Sequence, residues 1–254
     1  MKKSEPLISA QILLDVVHHC LARAENSYTR GHGPGVTVVE NHQAAAALIL
    51  TVVSLESYLN RLLYLSRPKP RRREFQKLVE KPLRDKLIHF VGDQRPLLDH
   101  LQEVLVCRDF VVHAYMWVGR TDYHGPAKAW RLASMMRPRK KVVPVMSGTR
   151  SRLLRMNLVP TKVSLVDAVK ALIVVFRAIR MLQPHPTAFE IPIPAEVAID
   201  LRKKNRHRGR MEDWIESLLS DLRRHHQKQV INSLGIQELR LNGSIAFWGI
   251  APTA

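Results

Sequence analysis

The chain has 254 residues, 46% of them hydrophobic, which is enough for one large domain, or a domain with an extension, to bury a core. Forty Lys and Arg against 22 Asp and Glu leave a formal charge of +18 and a pI near 10.5, a field that draws polyanions and makes nucleic acid the first partner to consider. The two cysteines, Cys20 and Cys107, exclude a disulfide framework and a four-thiolate metal site, and they fit a reducing cytoplasm.

Residues 7–25 place Leu7, Ile8, Ile12, Leu13, Val16, Val17, Cys20 and Leu21 at three- and four-residue spacing, which predicts a helix with one buried face. Glu5, Gln11 and Asp15 interrupt what would be the apolar region of an export signal, so none is expected. "GHGPG" at 31–35 ends the helix with turn-forming residues and lacks the Gly-Lys-Ser/Thr ending of a phosphate loop. A second helix is predicted over about residues 41–66, apolar nearly all round, as suits an element with neighbours on several sides. Thr51, Ser54 and Glu56 break its most apolar run before membrane-spanning length, so no bilayer span is expected.

"RPKPRRR" at 67–73 reads as a basic turn. Phe75, Leu78, Val79, Leu83, Leu87, Ile88 and Val91 then keep a helical beat, predicting a third helix with a kink at Pro82. A fourth helix opens near Arg95 and Pro96 and is predicted to run to about Val118. Glycines, prolines and short β-prone runs over 118–162 predict a hairpin inserted between helices. Residues 164–183 form a fifth predicted helix, with Ser164 and Asp167 placed as a capping box and Pro184 terminating it. Four prolines in "PHPTAFEIPIPAE" place a boundary, with a helical domain at 1–183 and a Pro-rich linker and basic C-terminal extension at 184–254. The extension carries "RKKNRHRGR", one amphipathic helix over 211–234, and a last strand in "ELRLNGSIAFW".

The chemistry concentrates in "EVLVCRDFVVHAYMWV", residues 103–118 of the fourth predicted helix. Leu101, Val104, Leu105, Val111, Val112 and Tyr115 fall on one stripe with Arg108 in its middle, and a buried guanidinium needs a partner. That partner is either a carboxylate, Asp109 or Glu56, in a structural ion pair, or an anion brought from outside. Arg108 and His113 lie roughly 140° apart around an ideal helix, so one helix alone makes a poor site. Two copies meeting across a twofold axis would line one cleft with both pairs. There a histidine can take the proton of a ribose 2′-OH while arginine stabilises charge on the attacked phosphate, a reaction that needs no metal.

These residues resemble a known family. "RDFVVHAY" is similar to the R-x4–6-H signature of HEPN domains (higher eukaryote and prokaryote nucleotide-binding), in the version with a polar residue after arginine and tyrosine two beyond histidine. "SLESYLNRLL" resembles the pattern many members carry in the second helix, and the resemblance covers about residues 7–183. It implies a mainly α fold, a HEPN-like bundle of about five helices that dimerises, here with a small β-hairpin insertion and the basic extension. Members often act as metal-independent endoribonucleases, with no cofactor, in toxin–antitoxin, phage-defence or CRISPR-associated settings. By position Arg108 and His113 would be catalytic, Asp109 supporting and Tyr115 an auxiliary, with Glu56 and Asn60 as structural support. Members with this tyrosine often pair with a nucleotidyltransferase antitoxin that modifies it. The long segment after the fourth helix and the extension depart from a minimal HEPN toxin. The alternatives are a non-catalytic module of the same fold that binds nucleic acid or a nucleotide, and a scaffold or antitoxin-like regulator whose partner surface is the helix at 211–234.

Arg71, Arg72, Arg73, Lys140 and Lys141 are candidate RNA contacts, each basic cluster being equally readable as a solvated face. Trp117, Tyr123 and Trp130 can stack on unpaired bases or pack locally. Adjacent His18, His19 and Cys20 point in different directions and make no metal site, and His225 and His226 read as solvated side chains of a charged helix.

Overall fold

The computed structural model describes residues 9–29, 37–66, 72–113, 117–120, 129–132, 143–186, 211–222, 224–234, 239–241 and 244–246, and it is mainly helical with small antiparallel hairpins. Helices α1 (Ser9–Thr29) and α2 (Val38–Leu65) pack along their lengths as an antiparallel pair, with the Ser27 and Thr37 hydroxyls hydrogen-bonded where the chain reverses. Leu14, Val17, Leu21, Ala24 and Tyr28 form the buried face of α1, at the spacing of an amphipathic helix. Helix α2 is long and apolar enough to cross a membrane by length and composition, and half of that stretch is buried in the bundle. Its apolar faces are shared among α1, α5 (Arg95–Val112) and α6 (Leu165–Leu182).

The expected third helix is two, α3 (Arg72–Val79) and α4 (Leu83–Val91). Pro82 stands just before α4 instead of inside a continuous helix, because a proline lacks the N–H and clashes with the preceding turn. Helix α5 carries Pro96 in its first turn and stops at Val112 rather than near Val118. The chain beyond it is rich in aromatic and β-branched residues, and Trp117–Arg120 is already strand β1, paired with β2 (Ala129–Leu132). A second hairpin, β3 (Met146–Ser147) with β4 (Arg150–Ser151), turns at Gly148 (φ 64°), a left-handed conformation open to glycine. The expected inserted hairpin is therefore present twice. Of the 18 residues of α6, 15 are buried, so it is the central helix.

Several buried side chains are charged, and Glu40, Glu103, Asp167 and Lys170 hold backbone. Glu103 on α5, 2% exposed, accepts the amides of Leu153 (2.6 Å) and Leu154 (2.7 Å). Lys170 on α6 is fully buried and donates to the Leu154 carbonyl at 2.7 Å; burial holds its pKa below the usual lysine range, opposed by the Asp167 carboxylate. Asp167 completes the expected capping box with Ser164 and also accepts from the Asn157 side chain at 2.8 Å. The Cys107 thiol donates to the Asn157 carbonyl at 3.0 Å; burial, with Asp167 and Glu103 nearby, pushes its pKa well up and keeps it a donor. Glu40 accepts the Leu165 amide at 3.0 Å, tying the start of α2 to the start of α6.

The C-terminal segment predicted as one helix is two, α7 (Met211–Asp221) and α8 (Arg224–Ser233), followed by an antiparallel pair of β5 (Leu239–Leu241) and β6 (Ser244–Ala246). Trp214, Ile215, Leu218, Leu219, Leu222, Val230 and Leu234 belong to the same core cluster as α1 and α6. Trp214 meets His18 edge-on, and Arg177 of α6 donates to the Leu234 carbonyl at 3.1 Å. His226 is not solvated as expected: it is 7% exposed and hydrogen-bonds Tyr28 Oη through Nδ1 at 2.8 Å, because α8 lays this face against α1. The His225 side chain lies outside the described residues.

Replacing Glu103 with alanine should destabilise the protein by about 3 kcal/mol, since two amides lose a charged acceptor; chemical denaturation checks this. On α5, burial and then the Arg177 charge hold the His100 imidazole below its usual pKa of 6.5, against the opposing pull of Glu103 and Asp99. The unfolded chain therefore binds this proton more readily, and stability falls as pH drops through 6.5 toward the lower folded value. His100→Gln should lose less stability than wild type between pH 7.5 and pH 5, measured as the shift in urea midpoint.

Candidate functional site

Arg108, Asp109 and His113 meet at the C-terminal end of α5. The buried residues of this helix include Leu98, Leu101, Val104, Cys107 and Phe110, which turns Arg108, Asp109 and Val112 toward the opposite, partly exposed side. The Arg108 side chain is 28% exposed, which corrects its expected place in the middle of a buried stripe. His113 forms the C-cap, its amide bonded to the Asp109 carbonyl at 2.9 Å and its side chain 57% exposed. Val112, between them in the chain, is an exposed apolar residue.

Of the two carboxylates considered for Arg108, Asp109 is the one it meets: Nη2 lies 2.9 Å from Asp109 Oδ1. The same oxygen lies 4.0 Å from His113 Nε2. One carboxylate therefore links the two residues, by an adjacent pair and an i,i+4 approach. The Arg108 contact is one of charge. Arg108 Nε and Asp109 Oδ1 are buried atoms with no well-aligned hydrogen bond to any described residue. Together the three side chains present a cation, an anion and an imidazole at one solvent-accessible spot, the means to hold a phosphate and move a proton.

Glu56 and Asn60 are not brought to this spot by any described contact. They pair instead with Lys86 of α4, 1% exposed, whose Nζ lies 3.2 Å from Glu56 Oε1 and 2.9 Å from Asn60 Oδ1. This cluster ties α2 to α4, whereas Cys107, Asn157, Asp167 and Glu40 link the later part of α5 to the start of α2. Glu40 and Glu56 are 16 residues apart, about 24 Å along α2 at 1.5 Å per residue.

Tyr115 lies outside the described residues, as do Arg71, Lys140, Lys141 and Tyr123. Arg72 opens α3 but its side chain is outside them too, and so are the side chains of Trp117 and Trp130, which sit in β1 and β2. Arg73 is exposed on α3. Among the described residues no cluster of three His, Cys, Asp or Glu could hold a metal ion. Sequence reasoning missed Glu103 and Lys170, although a charge flanked by apolar residues was the available signal. Compared with protein-family models, curated proteins and solved structures, the chain has no match.

Because the Arg108 and Asp109 side chains are partly covered and Asp109 Oδ1 is buried, Arg108→Ala should destabilise the protein by no more than about 2 kcal/mol. Thermal and urea unfolding of the variant would check this, and a much larger loss would mark a structural ion pair.

Proposed function

We propose that the protein is a metal-independent endoribonuclease of the HEPN type, acting as a homodimer in the cytoplasm as a toxin or defence effector. The observation that carries this reading is the solvent-accessible Arg108–Asp109–His113 group at the end of α5. In the reaction the imidazole of His113 takes the proton of a ribose 2′-OH as that oxygen attacks the adjacent phosphorus. Arg108 stabilises the negative charge gathering on the phosphoryl oxygens. The P–O5′ bond breaks, the leaving oxygen takes a proton from the His113 imidazolium of a second copy, and the RNA is left with 2′,3′-cyclic phosphate and 5′-hydroxyl ends. Asp109 positions both side chains and is displaced from Arg108 by the incoming phosphate. Exposed Val112 supplies an apolar contact across the twofold axis. Tyr115 follows closely in the chain as an auxiliary, and a nucleotidyltransferase antitoxin that modifies it fits this reading. The net charge of +18 supplies salt-sensitive affinity for RNA.

A second reading, a non-catalytic binding module, is favoured by one feature: Asp109 already counters the Arg108 charge. Incubating the pure protein with single-stranded RNA in the presence of a chelator separates the two. We expect cleavage to cyclic-phosphate ends, with His113→Ala and Arg108→Ala each reducing the rate by about 100-fold or more. Absence of cleavage by wild type, or equal cleavage by His113→Ala, would remove the nuclease reading.

A further inference from the structure

We infer that residues 150–155 form a second phosphate-binding element, a pre-shaped arginine loop rooted on α5 that holds the backbone of single-stranded RNA; this rests on the reading of the protein as one directed at RNA. Arg150, Arg152 and Arg155 are all exposed, around an exposed Leu153. Among the described residues none of the three pairs with a carboxylate, and Arg155 makes only a long contact, 3.5 Å, to Ser147 Oγ. Three guanidinium groups within six residues raise the local positive potential, which favours an anion there.

The loop beneath them is fixed. Ser151 N bonds the Met156 carbonyl at 2.8 Å, Met156 N returns to Ser151 Oγ at 3.0 Å, and Arg152 N bonds the Val145 carbonyl at 2.8 Å. Leu154 and Met156 are fully buried, and Glu103 and Lys170 grip the backbone between the arginines. Glu103 and Cys107 both belong to α5, so the helix that carries Arg108 also roots the arginine loop. Arg155 adds an independent sign. Its φ is 56°, the left-handed region where a side chain is disfavoured and glycine or asparagine is the ordinary occupant. A non-glycine residue in that conformation points to a task for its side chain. Little ordering remains to be lost when a phosphate arrives, which favours binding.

The test uses the full chain with His113→Ala to block cleavage, and reads the affinity for a fluorescent oligouridylate across a salt series. Arg150→Gln, Arg152→Gln and Arg155→Gly together should weaken binding at least about tenfold and lower the slope of log K against log salt by about 2, each phosphate contact to a single strand contributing about 0.7. Arg155→Gly alone should weaken binding while leaving the thermal midpoint unchanged or raised, since glycine accepts the backbone angle freely. Unchanged affinity and slope in the triple variant would overturn the assignment, as would absence of RNA binding by the parent. A parallel loss of binding to polyglutamate or anionic vesicles would do so too, marking a general anion collector. Loop-dependent RNA binding by a protein whose wild type never cleaves RNA would uphold the loop and remove the nuclease reading alone.

Discussion

The Glu103 carboxylate is the constraint on which the seating of residues 150–155 against α5 depends. It is almost wholly removed from water, and the amides of Leu153 and Leu154 are its solvation. An anion in that position has nowhere else to go, because separating it from its donors would leave a bare charge in a low-dielectric interior. Lys170 closes the arrangement from α6 by holding the carbonyl of the same Leu154, so one peptide segment is gripped by opposite charges on two helices. The segment cannot shift without exposing both. Cys107 and Asp167, working through Asn157, repeat the logic one turn further along.

That anchoring determines what α5 can present. With its apolar face committed to the core, Arg108, Asp109 and Val112 are left on the open side, and the helix ends one residue before His113. Although Arg108 and His113 are five residues apart, both side chains approach a single oxygen of Asp109, which is next to the one and four residues before the other. Lys86 with Glu56 and Asn60 is a separate polar cluster with a separate task, joining α4 to α2.

Charge gives these two regions different surroundings. Lys86 is neutralised within the fold, but the arginines of residues 150–155 are not, among the described residues. A chain carrying +18 has to place most of its cations on the surface, and a rigid loop concentrates three of them against α5. A polyanion reaching this loop would meet several positive groups carried on a backbone that is already fixed.

Much of the scaffold was legible in the sequence because periodicity and capping are local. The helices over α1, α2 and α6 and the Ser164–Asp167 box follow from side-chain spacing and hydrogen-bonding type alone. The motif residues Arg108, Asp109 and His113 were legible too, as polar groups in apolar company. The burial of Arg108 was not, since a stripe on a helical wheel does not say which of two faces finds a neighbour. Nor could the sequence show that Glu56 answers to Lys86, that His226 is buried against Tyr28, or that Glu103 holds a loop 50 residues away. Those outcomes join residues far apart in the chain. Local pattern determined which segments would be helical and where chemistry was concentrated; only the packing of those segments decided which charges were taken out of water, because desolvation depends on what lies across the interface and not on what lies next in the chain.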